Sequence, residues 1–287
     1  MPESPAYQNP VNQILHLQEL TNWQDEHWLN YATQLGLTIA DVPELIRLSW
    51  DEEPLDCENS DWSIHALRAL TQLDPEAGIN LYIDFLKTFP DSDFFHEEID
   101  GLSREVGAIA IAPFVEVLGD ASQELWLRST AANGLKAIAK NYPECYDVCI
   151  KATIAQLENY REQDNEMINS VLVGSLIQLK VVEAAPLLEE VFANCEIDEW
   201  LTGSWAAAQV AMGLKQESDF SPEELKPKPP EKILAIQKML DSLDAKRDLA
   251  NWKGGDFTPA MPDRPAAKGF GSGKKANQSS KNKKKKR

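Results

Sequence analysis

The chain has 287 residues, 43% of them hydrophobic, which is enough apolar material for one large core or two modest ones and excludes a wholly disordered protein. Its four cysteines, Cys57, Cys145, Cys149 and Cys195, are too few and too scattered for a disulfide framework. The net charge of −18 divides sharply: residues 264 to 287 hold ten Lys or Arg and no acid, leaving 18 basic against 46 acidic residues, a net of −28, for residues 1 to 263.

Such a body repels nucleic acid and anionic lipid through its summed field, so any contact with a polyanion falls to the tail. No stretch approaches the ~18 consecutive apolar residues of a membrane helix. The opening Met1-Pro2-Glu3-Ser4-Pro5 lacks the basic and apolar regions of an export signal. A cytoplasmic protein without membrane insertion is expected.

In chain order, residues 11 to 50 predict three short amphipathic helices. Ile14, Leu15, Leu17 and Leu20 share the first face, Trp28, Leu29, Ala32 and Leu35 the second, and the third runs from Val42 to Trp50. Gly36 suits the end of the second, and Asp41, just before Val42-Pro43, predicts an N-cap whose carboxylate accepts an orphan N–H of the third. Residues 51 to 61 carry six carboxylates and Pro54 and read as an exposed loop. Helical pattern resumes at Trp62 to Leu70, and Asp74-Pro75-Glu76 opens another helix through Ile79, Tyr82, Ile83 and Leu86, so two antiparallel helices joined by a tight turn are expected. Period-two alternation of β-branched residues is nearly absent, and essentially no sheet is predicted.

Residues 101 to 117 align without gaps on residues 174 to 190. Gly101 and Gly174 each stand twelve positions before the proline of an Ala-Pro pair, Ala112-Pro113 and Ala185-Pro186, and the flanking apolar pattern agrees. The offset of 73, from 113 to 186, predicts two units of the ~40-residue period of paired-helix repeats, with each proline near the start of a second helix where its missing N–H costs nothing. Gly134-Leu135 and Gly213-Leu214 fall in two further apolar segments read as equivalent helices. With Leu127-Arg128-Ser129-Thr130-Ala131-Ala132-Asn133-Gly134-Leu135 and, more loosely, residues 205 to 212, residues 62 to 215 resemble HEAT-like helical repeats. That resemblance implies an all-α solenoid of antiparallel helix pairs whose extended surface binds proteins.

Beyond Leu214 the run Ser221-Pro222-Glu223-Glu224-Leu225-Lys226-Pro227-Lys228-Pro229-Pro230 reads as a linker or extended strap, and residues 231 to 250 as one more amphipathic helix capping the last repeat. Glycine, proline, serine and lysine then dominate, and a disordered basic tail is expected. Its Gly271-Ser272-Gly273-Lys274-Lys275 resembles the core of the SEC-C motif, a zinc-dependent docking motif for chaperones and ribosomes. The four positions that correspond to its zinc ligands are Lys268, Phe270, Ser279 and Ser280, which supply no thiolate or imidazole, so no zinc is expected. Lys274, Lys275, Lys283, Lys284, Lys285, Lys286 and Arg287 remain as candidate partner contacts, able to touch the phosphates of RNA or a ribosome weakly and in a salt-sensitive way. A merely solubilising tail is the competing reading. As a whole the chain resembles a bacterial family of acidic helical-repeat proteins, domain of unknown function 1186, that often end in an intact SEC-C motif. The expected organisation is a helical lead-in at 1–61, repeats at 62–218, linker and capping helix at 219–258, and tail at 259–287.

Catalytic motifs are missing. A phosphate loop would need glycine at Lys268 and Ser or Thr at Lys275. His96-Glu97 is a single His-Glu pair, whereas the HEAT-repeat deoxyhypusine hydroxylases bind iron through several, and His16, His27 and His65 do not repeat the arrangement; an exposed His at a helix start is expected. Cys145 and Cys149, four apart, read as small buried residues. Of the eight tryptophans, Trp126, Trp200 and Trp205 fall in helical pattern, where core packing competes with exposure as a binding anchor. The acidic groups at 51 to 61 and 91 to 100 read as solvated loops or as a rim facing a basic partner. These readings predict no cofactor and a non-enzymatic adaptor or chaperone-like module with a protein partner. Two alternatives are a HEAT-like lyase or lyase subunit acting on phycobiliproteins and a translation-linked factor using the tail.

Overall fold

A computed structural model describes residues 7–17, 28–51, 61–90, 92, 96–163, 165–229 and 234, and the statements that follow concern those residues. The chain divides into two units, residues 1 to 234 and 235 to 287. Leu20, most of the 51 to 61 loop, the expected capping helix apart from Leu234, the SEC-C-like segment and the tail cations Lys274 to Arg287 lie outside the described residues.

Among the described residues there are helices and connections and no strand, as the lack of period-two patterning leads one to expect. The lead-in is shorter than its apolar spacing suggests. Val11–His16 is a 3-10 helix, and α1 is Tyr31–Leu35. Trp28 and Leu29 precede α1 because Asn30 is extended and its side chain caps Thr33 N, which starts the helix three residues late. Gly36 ends α1 at φ 75°, the left-handed C-cap its type favours. The third helix, α2, is Val42–Ser49. Asp41 does not cap it. Its carboxylate reaches back to Thr38 N at 2.7 Å and Thr38 Oγ1 at 2.9 Å, closing a capping box on the 3-10 turn Ile39–Asp41.

Trp62–Leu73 (α3) and Pro75–Thr88 (α4) are joined by Asp74 alone, whose side chain accepts from Ala77 N at 3.1 Å. So short a link between two helices that pack on each other makes them antiparallel. Ile99–Val106 (α5), a 3-10 turn Gly107–Ala110 and Ile111–Gly119 (α6) follow, then Leu125–Asn141 (α7), a 3-10 turn Pro143–Cys145 and Tyr146–Leu157 (α8). After the short α9, Tyr160–Gln163, come Glu166–Gln178 (α10), a 3-10 turn Val182–Ala184 and Ala185–Asn194 (α11). A single turn, Glu199–Thr202 (α12), precedes Trp205–Ala211 (α13).

The two segments aligned in sequence share a build: a helix, a 3-10 turn, and a helix with proline in its first turn, with the pair α7 and α8 between them. Gly134 and Gly213 are not equivalent. Gly134 lies mid-helix in α7, whereas Gly213 at φ 79° follows the end of α13. The first helices pack in succession, α3 on α5, α5 on α7, α7 on α10 and α10 on α13. The bare face of Gly134 permits this closeness; a Cβ there would stand 2.7 Å from Phe114 Cδ2 and 2.9 Å from Ile99 Cδ1. One continuous apolar cluster runs from Tyr7 to Met212, and Cys145 and Cys149 sit in it as expected.

Where α3 meets α5 the core holds an ion pair. Arg68 donates from Nε to Glu98 Oε2 at 2.9 Å and from Nη2 to Glu98 Oε1, with both side chains almost fully buried, and its guanidinium lies 5.1 Å from the Trp28 ring centre. Tyr31 Oη and His65 Nδ1 share a hydrogen bond of 2.7 Å beside it. The proline-rich run after α13 lies against the last helices: Ser204 Oγ donates to Glu224 O at 2.6 Å and Lys228 N donates to Glu199 Oε2 at 2.7 Å.

Candidate partner-binding edge

In an array of antiparallel helix pairs, the end of each second helix and the start of the next first helix lie on one edge, and the turns within pairs lie on the other. Hydrogen bonds mark the first of these edges directly. Trp62 Nε1, at the start of α3, donates to Asp51 O just past α2 at 3.0 Å. His96, before α5, pairs through Nε2 with Pro90 O, just past α4, at 3.0 Å. Arg128, at the start of α7, donates from Nε to Leu118 O at the end of α6 at 3.0 Å.

Along this edge the side chains change character. Trp50, Phe89, Trp126 and Trp200 are 40%, 44%, 56% and 61% exposed, and each lies in, or at the end of, a connection between one pair and the next. On the opposite edge the exposed apolar residues are aliphatic: Ile109, Val148 and Val182 in or beside the turns within pairs. Charge follows the same division. Counted along the sequence, the connections 50–61, 89–98, 120–124, 158–165 and 195–204 hold 18 carboxylates and one cation, Arg161, which is itself paired with Glu190 at 2.7 Å. The turns within pairs at 74, 107–110, 142–145 and 179–184 hold three acids and one lysine. Among the described residues the connections hold eleven carboxylates, all but the core residue Glu98 outside the buried set, so the described acids gather on the aromatic edge.

Three of these four rings, those of Trp50, Phe89 and Trp126, pack on neighbouring rings. Trp50 meets Phe85 edge to face at 4.6 Å between ring centres and lies 6.3 Å from Phe89. Trp126 lies 6.0 Å from the His96 ring. A carbonyl only accepts, so His96 Nε2 carries the proton given to Pro90 O, and in the neutral ring Nδ1 accepts from the Thr130 hydroxyl. His96 is therefore a half-buried tie between two pairs; its backbone is helical, as expected, but it is not the exposed residue its acidic neighbours suggest. Further along, Arg128 Nη2 donates to Gln163 Oε1 at 3.3 Å, Gln163 Nε2 donates to Asn169 Oδ1, and Asn169 Nδ2 donates to Tyr160 O at 3.2 Å. Asp198 caps the α12 turn by accepting from Trp200 N at 2.9 Å, which fixes the backbone of the most exposed tryptophan among the described residues. Trp205 instead packs on Phe192 at 5.4 Å and is half buried.

A groove opens beside this edge. It has a volume of about 340 Å³ and is lined by Asn80, Ile83, Asp84 and Lys87 of α4, by Pro113, Glu116 and Val117 of α6, and by Asp120 and Gln123 of the connection to Trp126. The helical lining residues repeat at i, i+3, i+4, the spacing of one helix face. Asp120 accepts from Ser122 N, Ser122 Oγ and Gln123 Nε2, and these hydrogen bonds hold its carboxyl down at about 2. Among the described residues no group of three or more His, Cys, Asp or Glu is placed to hold a metal ion, and no helix is long and apolar enough to cross a membrane.

No protein-family model, no curated protein and no solved structure matches the chain.

Proposed function

We propose that the chain is a HEAT-like helical-repeat module, a member of the bacterial family it resembles, that binds another protein along its tryptophan-bearing edge and catalyses no reaction itself. The observation that carries this reading is the placement of Trp126, whose ring packs on His96, and Trp200, whose backbone N–H is capped by Asp198, both exposed on the edge where the described acids also gather. Tryptophan is the residue most enriched at binding hot spots, and an indole held in place loses little conformational entropy when a partner covers it. The stacking of first helix on first helix supports the solenoid, in which each pair gains its stability from its neighbours. On this reading the basic tail adds a weak, salt-sensitive contact with RNA or ribosome.

The test compares tagged full chain with a Trp126→Ala/Trp200→Ala variant, by cross-linking and mass spectrometry of captured proteins. Exposed tryptophans add little to folding, so the variant is expected to melt within about 0.5 kcal/mol of the parent. Loss of about 1 to 2 kcal/mol per indole should deplete the specific partner about fivefold or more. Identical capture by both proteins would sink the reading. Removing residues 259 to 287 should leave that capture intact.

A further inference from the structure

The groove between α4 and α6 combines features that a protein-binding edge alone does not require. Its floor is apolar, with Ile83 and Val117 buried and Pro113 beside them. Its rim carries Asp84, Glu116 and Asp120 against Lys87. Its volume of about 340 Å³ lies at the small end of the range for ligand sites, about 300 to 1,000 Å³, a size for one long side chain rather than a large cofactor. Gln123, which lines it, stands three residues before the exposed Trp126.

We infer that this groove is the slot for a lysine or arginine side chain from a basic segment of the protein partner, which deepens the proposed function and rests on it. A long cationic side chain is apolar along its stem and charged at its tip. The stem lies on Ile83, Val117 and Pro113, and the tip meets the carboxylates of Asp84, Glu116 and Asp120. A second cation of the segment covers the Trp126 face, where the ring quadrupole attracts it. The connections flanking the slot add negative field that steers a cationic segment in and repels an acidic one. An acidic peptide has no counter-charge here except Lys87.

The experiment measures fluorescence anisotropy of a labelled peptide of alternating lysine, arginine and alanine against the full chain, with a glutamate-rich peptide as control. Four proteins are compared: parent, Glu116→Lys, Trp126→Ala, and Glu189→Lys as a charge reversal on α11, away from the groove. The basic peptide is expected to bind the parent and Glu189→Lys alike, and to bind Glu116→Lys about tenfold or more weakly, since charge reversal replaces attraction by repulsion. Trp126→Ala should weaken it about threefold to tenfold. Equal loss in Glu116→Lys and Glu189→Lys would reduce the effect to net charge and overturn the slot. So would absence of binding, or displacement of the peptide by spermidine with no contribution from Trp126, which would make a free polyamine the occupant. If the slot fails while Trp126→Ala/Trp200→Ala still abolishes partner capture, the binding module stands without its basic partner. Glu116 is exposed, so its reversal leaves folding intact, and thermal melting of each variant checks this.

Discussion

Asp120 and Glu98 show how far the setting of a carboxylate governs its behaviour. Glu98 has an arginine forked onto both its oxygens, yet burial pushes its carboxyl upward against the pull of Arg68, because loss of water penalises the charged form. Asp120 has no cation hydrogen-bonded to it and sits in solvent, yet three donors from Ser122 and Gln123 bring it from its ordinary 3.8 to about 2. A carboxyl held lower in the folded than in the unfolded chain contributes stability that is complete above 3.8 and lost as pH falls toward 2. Asp120→Asn keeps an acceptor at the turn and removes the charge. Urea titrations should therefore find the variant less stable at neutral pH, with the gap closing as the pH drops through 3.8 toward about 2. A gap unchanged at the acid end would mean that shape, not charge, is what Asp120 supplies to the turn before α7.

At the level of elements, Gly101 and Gly174 hold the same place in the two aligned segments and do different work. A Cβ on Gly101 would stand 2.7 Å from Trp28 Nε1 and 2.9 Å from Trp28 Cζ2, so α5 needs the glycine to admit the indole that covers Arg68. A Cβ on Gly174 would meet only Thr202 Cγ2 at 3.8 Å, an ordinary contact. Gly174→Ala should therefore stabilise α10 by up to about 1 kcal/mol through helix propensity, and Gly101→Ala should destabilise by about 1 to 3 kcal/mol through overpacking, both read from chemical denaturation. Opposite signs are the prediction, and equal signs would refute the packing argument. The alignment of the two glycines was legible in the sequence, but the reasons for them were not, because Trp28 lies 73 residues before Gly101 and no local pattern joins the two. Elements set by short-range chemistry were legible: Asp74-Pro75 opens α4 and Gly36 closes α1. Asp41 misled because a carboxylate between two N–H groups caps whichever turn the backbone presents, here the one behind it. The edge itself was hidden. Trp126, Trp200 and Trp205 sit in similar helical pattern, and only the direction of the neighbouring helices leaves two in solvent and sets the third on Phe192. The groove was equally out of reach, since its two walls belong to helices about 30 residues apart.

At the scale of the whole folded unit, stability should be uneven in a way the packing order dictates. Leu125–Asn141 touches α4, α5, α6, α8 and α10, and eleven of its seventeen residues are buried, including Arg128, which burial draws below its ordinary arginine value. By contrast α12 and α13 are four and seven residues long and pack on α10 and, for α13, on α11. When helices gain stability chiefly from adjacent helices, opening starts where neighbours are fewest and reaches the best-packed helix last. Native-state hydrogen exchange should find the slowest amides in the middle of α7, around Ala131 to Ile138, and faster exchange through α12 and α13 at every denaturant concentration below the global transition. The aromatic edge spans this gradient, because Trp126 is borne by the best-packed helix and Trp200 by one of the least packed. A partner that covers both residues binds the folded array and not the opened one, and so must slow exchange in α12 and α13 more than in α7, where little opening remains to suppress. Uniform protection across α7, α12 and α13, with or without partner, would show that the helices unfold as one cooperative body and that neither tryptophan is the more mobile anchor.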